Sequence, residues 1–194
     1  MVEKKKTLSE ILRRYLTYSL GILFSTLGVV ITLKTGIGAA PVITIPYMLS
    51  FFEANLSVGT WVVICNLGLI VLHILLRKRR LKKRILLLQF ITSLAFGLFT
   101  DLSLDSLDGF APKSYREALL ACAAGSFCLA GGLYFVRIAD VGRLPLESFL
   151  KFSSKLLGKR YFIIRLSSDV IFTVAALLIW LSGLGQHNIV REGT

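Results

Sequence analysis

The chain has 194 residues, of which 55% are hydrophobic and only 18% charged, with a mean hydropathy of +0.72. A soluble domain is about 45–50% apolar and about 25% charged, so a water-soluble fold is excluded and the apolar excess is assigned to lipid. The net charge of +12 would suggest nucleic acid in a soluble protein, but here the basic residues flank apolar runs, which makes them topology signals.

A membrane-crossing helix needs about 20 mostly apolar residues, and five stretches qualify: 15–33, 58–76, 85–101, 118–136 and 161–184. They are apolar on every side and do not alternate, which excludes a β-barrel. Before the first span stand Lys4, Lys5, Lys6, Arg13 and Arg14. Its apolar core is longer than the roughly 7–15 residues of a signal-peptide core, and Pro41 directly follows Ala39-Ala40, so the span is expected to be retained. Arg77, Lys78, Arg79, Arg80, Lys82, Lys83 and Arg84 fill the connection between spans two and three. Such a run either sets topology alone or also touches anionic lipid. Arg137, Arg143, Lys151, Lys155, Lys159 and Arg160 lie between spans four and five, and the opposite side carries Asp101, Asp105 and Asp108. Eighteen of the 23 basic residues therefore share one face, which predicts a cytoplasmic N-terminus and an external residue 194. Cys65, Cys122 and Cys128 all fall within spans and read as buried free thiols, with no metal-ligand spacing.

A shift of 104 positions brings Gly21 onto Gly125, Gly28 onto Gly132, Gly38 onto Gly142 and Pro41 onto Pro145. A one-residue slip then aligns Cys65-Asn66 with Ser168-Asp169. Three spans separate the two starts, so the units run antiparallel across the membrane. The expected architecture is an all-α membrane protein of five spans, an imperfect inverted repeat of the kind that many secondary transporters use. Residues 1–101 form the first unit and 102–194 the second. Each unit reads as helix, Gly-Pro break, short helix, helix. Gly38 and Gly142 are expected to end the preceding helices through positive φ, and Pro41 and Pro145 to open short helices over 41–52 and 145–157. The first is apolar, suiting a re-entrant or interface-buried helix. The second is amphipathic, with Leu146, Phe149, Phe152 and Leu156 on one face, suiting the interface. A counterpart of span three is missing from the second unit: either a sixth helix has been lost or the chain stops just before one.

The strings GIGAAP, LSVGTW, LLLQFITSLAFGLFTDL and the terminal VREGT resemble the YczE/YyaS/YitT family of bacterial membrane proteins over most of the chain. The resemblance implies a multi-pass protein of the bacterial cytoplasmic membrane. It supplies no reaction or substrate.

Ionisable groups inside a span are costly, by about 2.5–3.5 kcal/mol at its centre on insertion scales, so they are the first candidates for function. Arg165 and Asp169 lie one turn apart in the fifth span and can pair. With Asn66, the repeat counterpart of Asp169, they form the predicted substrate site, or else a structural ion pair. Asn66, Gln89, Thr92 and Ser93 either line a polar path or bond between helices. His73 reads as an interfacial residue. Arg137, Asp140 and Arg143 flank the second break and are expected to form a gate at the cytoplasmic mouth, or to snorkel. Gly21, Gly28, Gly125, Gly131 and Gly132 are expected to permit close helix contact. The chain carries no P-loop, G-x-S-x-G, H-E-x-x-H or CxxC, and only two histidines, so neither an enzyme nor a cofactor nor a metal site is expected. Two functions fit. One is a small transporter, a permease or exporter of a small polar solute bound between the units. The other is a non-transporting membrane subunit or capture component of a larger complex. The expected partners are the lipid bilayer, a small-molecule solute and a second copy or another membrane subunit, not nucleic acid.

Overall fold

Each apolar run becomes a helix in the computed structural model, which describes residues 7–51, 53, 55–77 and 83–181. Seven helices occur among these residues: α1 (Leu8–Lys34), α2 (Pro41–Ser50), α3 (Val58–Leu76), α4 (Lys83–Ser106), α5 (Tyr115–Ala139), α6 (Pro145–Leu157) and α7 (Tyr161–Leu181). All but α2 and α6 are long and apolar enough to cross a membrane. The predicted end of the fifth span, 182–184, and the terminal segment to residue 194 lie outside the described residues, as does residue 52.

Several helices outrun their apolar cores, because polar turns extend a helix without making it more hydrophobic. α1 starts at Leu8, with Glu10 and Arg14 paired one turn apart at 2.9 Å. α5 starts earlier than its apolar run because Ser114 and Glu117 cap it reciprocally. The Ser114 hydroxyl accepts from the Glu117 N–H at 3.3 Å, and the Glu117 carboxylate accepts from the Lys113 N–H at 2.9 Å, a variant of the capping box. At α3 the Ser57 hydroxyl accepts from Thr60 N–H. The Asp101 carboxylate adds a second cap from α4, accepting from Gly59 N–H and Ser57 Oγ, each at 2.7 Å. A carboxylate there suits the positive end of the helix dipole. Asp101, expected only as one of three acids on the less basic side, is thus a tie between two helices.

Both prolines open short helices as expected, with Ala40 and Leu144 at the N-cap positions. The glycines fit only in part: Gly38 has a positive φ but lies beyond Thr35, the C-cap of α1. The left-handed residue in the first break is Gly36 (φ 69°), and its counterpart 104 positions on is Asp140 (φ 48°). Gly38 has φ 151°, and Gly142 does not take a positive φ. Gly142 instead packs closely: a Cβ there would sit 3.3 Å from the Tyr18 hydroxyl. On α6 the buried residues are Pro145, Leu146 and Leu150, while Leu156, expected on the apolar face, is exposed.

α1 and α5 pack antiparallel through their glycines. A Cβ added at Gly21 would lie 2.9 Å from the Gly132 carbonyl oxygen, and one at Gly132 would lie 2.7 Å from the Gly21 oxygen. Gly28 and Gly125 make the equivalent close pair, while Gly131 faces open space. α2 packs on α7 and α3, and α6 on α3 and α7. The large apolar side chains Phe127, Leu98 and Phe162 are 83%, 65% and 73% exposed, whereas Ser25, Thr26, Ser93 and Thr100 are fully buried. Small polar residues inside and large apolar ones outside suit a lipid solvent.

Candidate functional site

Arg165 and Asp169 are one helical turn apart on α7, and their side chains meet at 3.3 Å between Nε and Oδ2. α6 brings a third charge that sequence reasoning missed. The Glu147 Oε1 accepts from Arg165 Nη1 at 3.3 Å, and its Oε2 lies 3.6 Å from Arg137 Nη2. The result is a chain of alternating charges, Arg137–Glu147–Arg165–Asp169, that joins α5, α6 and α7. The side chains of Glu147, Arg165 and Asp169 are 17%, 27% and 29% exposed, against 71% for Arg137. The second oxygen of Asp169, Oδ1, is buried and has no hydrogen-bond partner among the described residues. The proximity of Glu147 to a helix break carrying its own Arg137 was the only hint in the sequence, and its placement beside Arg165 needs the fold.

Arg165, Glu147 and Asn66 line one cavity of about 270 Å³ among α2, α3, α6 and α7, with α4 and α5 also contributing, and it is walled otherwise by apolar side chains such as Ile43, Phe96 and Phe172. Asp169 does not line it and acts on it through Arg165. Pro41 and Pro46 of α2 face the same space. Pro46 has no N–H to offer the Val42 carbonyl, and Val42 lines the cavity too.

The three predicted gate residues, Arg137, Asp140 and Arg143, gather around a second cavity of about 270 Å³. Glu147, Leu133 and Leu144 line both cavities and so form the wall between them. Asp140 also lies 3.6 Å from Arg14 of α1 and is 82% exposed. A third cavity of about 460 Å³ continues from the second, sharing Ile85, Gln89, Arg143 and Ser148 with it.

The buried polar residues of α4 only partly fit expectation. Thr92, Ser93, Thr100 and Ser103 each donate to a carbonyl four residues earlier. Their hydroxyl protons are therefore satisfied within α4. Only Thr92 of these bridges helices: its Oγ1 lies 2.6 Å from the Tyr18 hydroxyl. Because the Thr92 proton goes to Leu88, Tyr18 is the donor. Gln89 is the exception, buried with neither amide atom partnered among the described residues. His73, expected at the interface, is buried against Phe152 and Phe149, with ring centroids 5.0 and 6.4 Å away. Among the described residues the three cysteines are free, and Cys128 donates to the Phe24 carbonyl across the α1–α5 contact at 3.3 Å.

Five apolar spans around a partly buried ion chain define a multi-pass membrane protein. Over residues 12–194 the chain matches a family of unknown function, DUF6198, and it belongs to that family. No curated protein and no solved structure matches it.

Proposed function

We propose that this protein is a small membrane transporter, a permease or exporter, which binds a small polar solute beside Asn66, Glu147 and Arg165 and holds that site in shape through Asp169. The observation that carries the reading is the position of Glu147. It lies in the wall between two cavities, with one carboxylate oxygen toward the inner Arg165 and the other toward the exposed Arg137. A solute that competes for either guanidinium would free Glu147 to move, which is how an ion-pair gate works. The unpartnered Asp169 Oδ1 is an acceptor available to a solute that carries a donor group once Arg165 moves.

Inverted symmetry supports this reading. Gly21 meets Gly132 and Gly28 meets Gly125, the reciprocal pairing that a two-fold axis between residues 104 apart would produce. Gly36 and Asp140 share a left-handed backbone at matching positions. α2 packs on the helix that corresponds to α6's own partner, and the reverse holds for α6. Repeats of this kind place substrate sites at their interface. The likeness to the YczE/YyaS/YitT proteins and the basic face together favour the bacterial cytoplasmic membrane, with the N-terminus inside.

A thermal-shift screen of the purified chain against a metabolite panel tests this, since a ligand of the folded state raises Tm by mass action. Hits are then followed as flux into proteoliposomes. Binding and flux that Asp169→Asn and Arg165→Ala abolish would support the site. Full transport by both variants at normal expression would refute it. No binding by folded protein, with a stably co-purifying membrane partner, would favour the subunit reading instead.

A further inference from the structure

Beyond any solute site, the third cavity has the makings of an anion site. Its rim carries Arg77 at the end of α3, Arg143 before α6, and Lys151 and Lys155 on α6, and no carboxylate lines it among the described residues. Its back wall is polar and its side chains are buried. Gln89 is 2% exposed and His73 is 4% exposed, and none of their four polar side-chain atoms has a hydrogen-bond partner among the described residues. A buried polar group without a partner forgoes the bonds it had in water, so an amide and an imidazole facing one cavity call for a ligand that can satisfy them. Ser148 adds a hydroxyl. The cations also crowd one another: Arg143, then burial, then Lys155 and Arg137 hold the Lys151 ammonium below its ordinary range. A bound anion would relieve that repulsion. At the same edge Ile85 and Leu156 are exposed apolar residues, a surface suited to acyl chains.

We propose that this cavity binds a phosphate group, with Arg143, Lys151 and Lys155 neutralising its charge and Gln89 and His73 supplying donors from the back wall. Arginine and lysine bond phosphate oxygens in short charge-assisted contacts. The group has two sources with the same chemistry, the headgroup of an anionic lipid or a free phosphate. The site stands whether or not the chain transports a solute.

The test uses the full chain purified in an uncharged detergent. One arm follows melting with inorganic phosphate against chloride at matched ionic strength. The other uses phosphatidylglycerol against phosphatidylcholine. Two variants accompany both arms: Lys151→Gln with Lys155→Gln, at exposed positions that leave packing intact, and Gln89→Leu, which removes the buried amide. The expected result is a saturable rise in Tm that reports a Kd weakened about tenfold or more in each variant. Gln89→Leu should meanwhile melt no lower than the unaltered chain without ligand. A rise with inorganic phosphate assigns the site to free phosphate, and a rise with phosphatidylglycerol alone assigns it to the lipid headgroup. No saturable rise in either arm, or equal affinity in either variant, overturns the proposal.

Discussion

Asp140 carries a positive φ of 48° with a side chain attached. Asp tolerates that conformation better than most residues because its short polar side chain bonds locally, whereas an ordinary side chain is disfavoured by about 1–2 kcal/mol. Asp140→Ala should therefore lower stability by about 1 kcal/mol, and Asp140→Gly should hold or raise it. Denaturant titration of the purified protein in detergent would check the pair. The exposed contact with Arg14 adds little either way, so equal losses in both variants would contradict the backbone explanation. Asp101 offers a second test at this scale. Its carboxylate supplies two bonds at the start of α3, so Asp101→Ala should cost about 1–2 kcal/mol, the usual loss for a helix cap. Asp105→Ala serves as the control, and equal melting of the two variants would contradict the cap. Neither role was legible in the sequence, where Asp140 read as a gate residue and Asp101 as one of three acids on the opposite side. A cap contributed by a distant helix, or a left-handed residue that is not glycine, leaves no local pattern.

Helices are where the sequence was most informative. Length and hydropathy located all five spans, and the two prolines located α2 and α6, because apolar runs and missing N–H groups act locally. The ends were less legible, since polar turns with good caps, as at Ser114, extend a helix beyond its apolar run. The glycines were readable as contact surfaces in general but not individually. Gly131 and Gly132 are adjacent in sequence, yet a Cβ at Gly132 would meet the backbone of α1, while one at Gly131 would meet nothing. Gly132→Ala must push α1 and α5 apart and should cost about 2 kcal/mol, in the range of overpacked cores. Gly131→Ala should stabilise by about 0.5–1 kcal/mol, because alanine is the better helix former. Opposite signs in the same unfolding assay are the expected outcome. A loss at both positions would mean that the face of α5 bearing Gly131 is also covered.

At the scale of the molecule, the candidate site depended on folding more than any helix did. Arg165 and Asp169 stood out because charge inside a span is rare, and Asn66 because a shifted alignment of the sequence sets it against Asp169. Glu147 did not, because it lies on a short amphipathic helix where a carboxylate looks like ordinary solvation. Only the docking of α6 against α3 and α7 turns it toward Arg165. The same charges predict an orientation. Lys151 and Lys155 of α6 lie on one face of the bundle, and Lys113 before α5 lies on the other, one span away from Arg137. The concentration of basic residues on the first face predicts that it is cytoplasmic. Cysteines placed singly at Lys113 and at Lys151, in a chain whose Cys65, Cys122 and Cys128 are replaced by serine or alanine, give a direct readout. A membrane-impermeant maleimide applied to intact cells should modify Lys113→Cys and spare Lys151→Cys, and opening the cells should make both reactive. The reverse pattern would invert the molecule and put the basic cavity outside, where the cytoplasmic leaflet's anionic lipids cannot reach it. Labelling of both sites in intact cells would mean a mixed population of orientations, in which the positive face does not decide insertion.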